Sequence, residues 1–217
     1  MREELAQNRV WVNGRLVSEH ALLVGPFDEV VCGGQVVQRR EQRCLMLHKP
    51  LGVVSATQDL EHPTVVGLIE EEWAAELHLA GRLDRFTSGL MVLTNDSSLS
   101  ERLTLPAEKL GKRYRVVCDQ SISSEIVTAF EAGMWFAKEE VQLQPARVSL
   151  LSEKECLLTI FEGKHHQVKR MFARFGLKVT DLHREAMGPL ELDPSLGVGC
   201  WRFLTDAEVA LLRRSRE

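Results

Sequence analysis

The residue types best able to do chemistry in this chain surround Asp84. Residues 79–96 read LAGRLDRFTSGLMVLTND: a carboxylate two residues after Arg82, the small polar run Thr87-Ser88-Gly89, then the apolar run Leu90-Met91-Val92-Leu93. A carboxylate held at a rigid turn beside a strand is placed to act as a fixed nucleophile or base. The plainer reading of the same spacing is an Asp that caps a turn. Other chemistries find less support. Asp84 with Asp96 could make a carboxylate pair for glycoside hydrolysis, yet nothing else in the sequence adds to that. His165-His166 has no third metal ligand at useful spacing. Phosphate-loop and dinucleotide glycine fingerprints are absent.

A second block, residues 158–190, reads LTIFEGKHHQVKRMFARFGLKVTDLHREAMGPL. Between the two blocks lies Lys112-Arg113-Tyr114-Arg115-Val116, with the only tyrosine of the chain. Upstream stand His48-Lys49-Pro50-Leu51-Gly52-Val53, Asp59 and His62-Pro63-Thr64-Val65. GRLDRFTSGL resembles the catalytic-loop motif of the pseudouridine synthases, and the other blocks follow the same family in the same order. The wording His-His-Gln-Val-Lys-Arg-Met-Phe resembles most the RsuA-like group, the small-subunit ribosomal RNA type. The resemblance spans roughly residues 43–212.

That resemblance implies an isomerase of RNA. Uridine would lose its N1 glycosidic bond, the uracil would turn, and C5 would rejoin the sugar, with no metal or cofactor. Asp84 would be the catalytic carboxylate, attacking the base or sugar or removing a C2′ proton. Lys169 would be the cation that keeps Asp84 ionised and oriented. Tyr114 would stack on the target base and is a candidate for proton transfer at C5; Leu182 would pack the other side. Arg82 would help hold the nucleotide out of its stack. From charge and position, Lys164, His165, Gln167, Arg170, Arg174 and Arg184 are expected to contact RNA, with Lys49 and Arg113 joining them. On pattern alone Lys169 is a surface lysine, Tyr114 a half-buried strand residue, Leu182 a core residue and Arg82 one end of a salt bridge. The expected partner is ribosomal RNA or a partly assembled small subunit. Large-subunit or transfer RNA is the alternative substrate, and a non-catalytic RNA-binding assembly factor the alternative function.

Net charge of −4 argues against nucleic acid as a whole-chain property. Its distribution does not: residues 162–178 hold five Lys and Arg, one acid and two histidines. Such a patch can neutralise several phosphates, although a charge run is ordinarily a solvated face. Five scattered cysteines without a C-x-x-C pair suggest reduced thiols, neither a disulfide framework nor a zinc ribbon. A charged N-terminus and the lack of a long apolar run point to a cytoplasmic protein away from membranes. No heptad or apolar stripe argues for more than a monomer.

Residues 1–41 read as a small separate module, with residues 2–8 ending a helix and hairpins at Asn13-Gly14 and Gly33-Gly34. This resembles the back half of an S-four-type RNA-binding domain whose first basic helix is lacking, as though truncated. Residues 42–217 form the expected catalytic domain. Strands are expected at 45–47, 113–118 and 155–161. Helices are expected from Ser97 or Ser98 to Thr104, over 125–132 closed by Gly133, over 166–175, and from a Thr205–Glu208 capping box to Leu212. The pattern implies an α+β fold. The family resemblance implies a mixed, mainly antiparallel sheet with a central cleft and flanking helices.

Overall fold

The structure, a computed structural model, describes residues 4–5, 7, 9–19, 21–105, 110–137 and 140–214. The expected helix end over residues 2–8 lies largely outside the described residues. The chain forms two compact units, residues 1–43 and 44–217. Among the described residues no helix is long and apolar enough to cross a membrane.

In the first unit, β1 (Val10–Val12), β2 (Arg15–Leu16), β3 (Val30–Cys32) and β4 (Gln35–Gln38) make an antiparallel sheet in the order β2-β1-β3-β4. The Asn13-Gly14 turn has positive φ at both residues, 49° and 73°, as a tight hairpin of this twist requires. Val10, Val12 and Val30 form its small core.

The second unit is built on β5 (Cys44–Lys49), β6 (His78–Leu79), β7 (Ser88–Thr94), β8 (Lys112–Cys118), β9 (Trp135–Phe136), β10 (Val141–Gln142), β11 (Arg147–Ser152), β12 (Glu155–Ile160), β13 (Val179–Met187), β14 (Leu190–Glu191) and β15 (Trp201–Phe203). Its main sheet runs β11-β12-β8-β13-β7-β5-β15, with β6 and β14 as side branches. β13 and β7 are parallel; the other named pairs in this sheet are antiparallel. The fold class is therefore the expected α+β, a mixed and mainly antiparallel sheet.

The central strands are apolar on both sides because both faces are covered. Alternation sends Leu45, Leu47, Met91, Leu93, Val116 and Leu158 to one core and Met46, Leu90, Val92 and Met187 to the other. Helices α2 (Ser124–Ala132) and α3 (Gln167–Ala173) cover the first face, with the rings of Phe130 and Phe172 edge to face at 4.9 Å. Helices α1 (Ser97–Thr104) and α4 (Asp206–Arg214) supply Leu99, Leu103 and Leu212 to the second.

Two expected boundaries shift. Asp96, not Ser97 or Ser98, caps α1: its carboxylate accepts from the backbone of Ser98 and Leu99 and pairs with Arg213 at 2.9 Å. That use removes Asp96 from any carboxylate pair with Asp84. Helix α3 begins after His166 and ends at Ala173, shorter than residues 166–175.

Candidate active site

Asp84 opens a tight turn, in which the Thr87 N–H donates to the Asp84 carbonyl at 3.0 Å. The segment from Lys49 to Ser55 braces this turn. Lys49 Nζ donates to the carbonyls of Thr87 at 2.9 Å, Pro50 at 2.9 Å and Arg85 at 3.3 Å. Gly52 N–H donates to Arg85 O at 2.8 Å, and Arg85 Nε returns the bond to Gly52 O. Ser55 Oγ donates to Leu83 O at 2.6 Å and accepts from Leu83 N at 3.0 Å. Leu83, Arg85 and Thr87 are thus all tied down, while the Asp84 side chain stays 29% exposed. Rigid placement of a reacting group is what such bracing achieves.

Lys49 is wholly buried, and burial pulls its ammonium down to about 8 despite the favourable field of Asp84; Arg184 and Lys169 add to the lowering. It therefore acts on the turn's carbonyls, and the expectation that it contacts RNA is corrected. Gly89 follows the turn at φ 110°, where β7 meets β13. A Cβ there would sit inside the backbone of Arg184, so only glycine admits this close approach.

Tyr114 lies on β8 directly across from Arg184, and Leu182 across from Val116. Both side chains are nearly buried, 7% and 4% exposed, in the same core cluster as Leu83. Arg184 is corrected as an RNA contact: it is 1% exposed, and its Nε donates to Leu90 O at 2.7 Å. Arg113 pairs with Glu185 and Glu191 at 3.4 and 2.9 Å. Arg82 is exposed and forms no ion pair among the described residues.

The basic block turns at residues 162–167. Gln167, expected to touch substrate, is instead buried and holds this turn: it accepts from Lys164 N at 2.9 Å and donates to Glu162 at 3.0 Å. His166 stands at the N-terminus of α3 with φ 51°, its ring stacked on His165 at 3.8 Å. His166 Nε2 lies 3.5 Å from Asp84 Oδ1. Lys169 forms no ion pair with Asp84; its Nζ points to Phe86 O at 3.5 Å. Among the described residues, ion-pairing distance to the Asp84 carboxylate is reached by His166 and not by Lys169. Lys164 and His165 are exposed; the Arg170 guanidinium lies 4.1 Å over the Phe136 ring, and Arg174 donates to Trp135 O at 2.9 Å. Among the described residues no cluster could hold a metal ion.

Sequence reasoning missed three parts of this arrangement: the grip of Lys49, the two hydrogen bonds of Ser55 to Leu83, and His166. Lys49 carried no signal of burial, since a lysine ending a strand is ordinarily exposed. His166 carried none beyond its neighbourhood.

A braced carboxylate, an aromatic and a leucine on one sheet face, and a block of basic residues together suit a nucleic-acid-modifying enzyme. Residues 43–174 match the RNA pseudouridylate synthase family, and the chain belongs to it, an RNA pseudouridine synthase. It is 43% identical over 206 residues to the ribosomal small subunit pseudouridine synthase A of Pseudomonas aeruginosa, covering 94% of this chain and 90% of that protein. The protein of that name from Escherichia coli strain K12 is 38% identical, covering 95% and 90%. A crystal structure of a pseudouridylate synthase superposes with a TM-score of 0.77 at 34% identity, covering 97% of this chain and 91% of the other.

Proposed function

We propose that this enzyme isomerises a uridine of small-subunit ribosomal RNA to pseudouridine, with Asp84 as the reacting carboxylate. The near full-length similarity to small-subunit synthases carries the substrate assignment. The bracing of the Asp84 turn supports the residue assignment. The uridine leaves the RNA stack, because Asp84 could not reach it within a helix. His166 orients the carboxylate through Oδ1 and leaves Oδ2 to react. Lys169 fixes the far side of the turn through Phe86 O. Tyr114 and Leu182 flank the base, and Arg82, without an ion pair among the described residues, faces the displaced nucleotide. Lys164, His165, Arg170 and Arg174 take phosphates. The N-terminal unit would add RNA contacts as part of an S-four-like module. The enzyme would work as a cytoplasmic monomer on ribosomal RNA or a partly assembled subunit.

The test is pseudouridine mapping of ribosomal RNA from cells with and without the gene, complemented by wild type or Asp84→Asn. Loss of one small-subunit site, restored by wild type alone, is expected. Loss of a large-subunit or transfer RNA site would move the substrate. Restoration by Asp84→Asn would remove the catalytic role.

A further inference from the structure

Arg85 and Phe86 are the two tip residues of the turn closed between Asp84 and Thr87. Turn tips favour Gly, Asn, Asp, Ser or Pro, each for a backbone reason that phenylalanine lacks. Phe86 nevertheless occupies one, with 63% of its surface exposed. The backbone on both sides of the ring is tied by Lys49 and Gly52 and its own carbonyl receives Lys169, so the ring is presented from a fixed stretch of chain. The Arg85 guanidinium lies 5.3 Å from the ring centroid, a cation–π contact. A large apolar ring held rigidly in water breaks both turn chemistry and burial preference, and such local conflicts concentrate at functional sites.

The surroundings choose the occupant. Arg85 and Lys169 make the rim cationic, which suits a phosphate backbone, and the stacked rings of His165 and His166 lie on the same basic block. An exposed aromatic face amid cations is the usual platform for an unstacked base. Withdrawing one uridine from a strand also deprives its neighbour of a stacking partner. We propose that Phe86, backed by Arg85, is a stacking subsite for the unpaired base next to the reacting uridine. The subsite rests on the reading that Asp84 acts on a flipped uridine. Ring and carboxylate sit two residues apart in one braced turn, so seating the neighbouring base on Phe86 sets the register of the uridine over Asp84.

The test uses a short single-stranded RNA with one uridine beside a fluorescent 2-aminopurine, titrated with the full chain and its variants. Phe86→Ala should weaken binding about tenfold and abolish the emission change, in keeping with one lost base stack. Phe86→Trp should keep both. Phe86→Leu, which keeps apolar bulk without an aromatic face, should behave as Phe86→Ala. Replacing the 2-aminopurine with an abasic nucleotide should weaken wild type by a similar factor and Phe86→Ala no further. Wild-type binding by Phe86→Ala, or an equal loss on base-bearing and abasic RNA, would overturn the subsite. Conversion of uridine is read separately. Coupling between ring and base without conversion would leave Phe86 as a base platform but overturn its role in setting the register of a reacting uridine; conversion without coupling would remove the subsite alone.

Discussion

His166 satisfies two constraints at once. Its backbone sits in the left-handed region at φ 51°, which costs a residue with a Cβ about 1–2 kcal/mol. Its side chain makes no cap for α3 and instead meets Asp84. Strain of this kind persists where the surrounding structure enforces it, and it clusters at active sites. The two constraints separate by mutation. His166→Gly removes the Cβ cost, so its unfolding free energy from urea titration should hold or rise by about 1 kcal/mol while the single-turnover rate falls about tenfold. His166→Asn tolerates the same backbone and keeps a donor, and it should recover part of the rate. If His166→Gly were as fast as wild type, the contact with Asp84 would have no catalytic consequence. Slower and less stable together would mean that the ring supports α3 rather than the carboxylate.

At the scale of elements, the site is a turn clamped between two strands. Lys49 at the end of β5 grips the turn, and Gly89 at the start of β7 lets β13 pass against it. Gly89→Ala puts a Cβ into the backbone of Arg184 at a φ that disfavours side chains. It should destabilise by about 3 kcal/mol or more, read as a lowered denaturant midpoint, because neither neighbouring backbone can yield cheaply. A loss below about 1 kcal/mol would mean that the strands can spread. Local signals of this kind were legible in the sequence. The Asn13-Gly14 turn, Gly133 at the end of α2, and the reciprocal Thr205–Glu208 bonds all form where local chemistry places them. The apolar faces of α3 were legible too, since Val168, Met171 and Phe172 follow helical spacing into the core. Buried polar residues were not. Lys49, Arg184 and Gln167 look like surface cations and an amide in a basic run. Their burial is settled by the carbonyls of Thr87 and Leu90 and the carboxylate of Glu162, the first two of which lie 38 and 94 residues away in sequence. The cap of α1 failed for a smaller reason: Asp96 and Ser97 are adjacent good caps, and Arg213 favours the acid.

At the scale of the whole molecule, buried titratable groups set an unusual pH dependence. Lys49 and Lys112 are each drawn by burial from 10.5 down to about 8. Between those values the unfolded chain holds two protons that the folded chain has released, so stability rises with pH. Burial pushes the thiols of Cys44 and Cys118 up from 9.0 to about 11, and that of Cys156 to about 12. Above 9.0 the unfolded chain loses those three protons first, so stability falls with pH. Each such proton contributes a slope of about 1.4 kcal/mol per pH unit. Lysines alone act between about 8 and 9.0, and the thiols outweigh them beyond, which places maximal stability near pH 9. Paired acids such as Glu208, held down at about 2 by Arg202, are fully ionised long before and leave this window unaffected. Urea midpoints at fixed ionic strength, from about pH 7 to about pH 11, should peak near 9. Lys112→Met should flatten the rising limb, and Cys118→Ala combined with Cys156→Ala the falling one, whatever cavity cost the latter adds uniformly across pH. A peak at neutral pH would show that the buried ammonium groups keep their protons in the fold, and that Lys49 grips the Asp84 turn as a full charge across the whole working range.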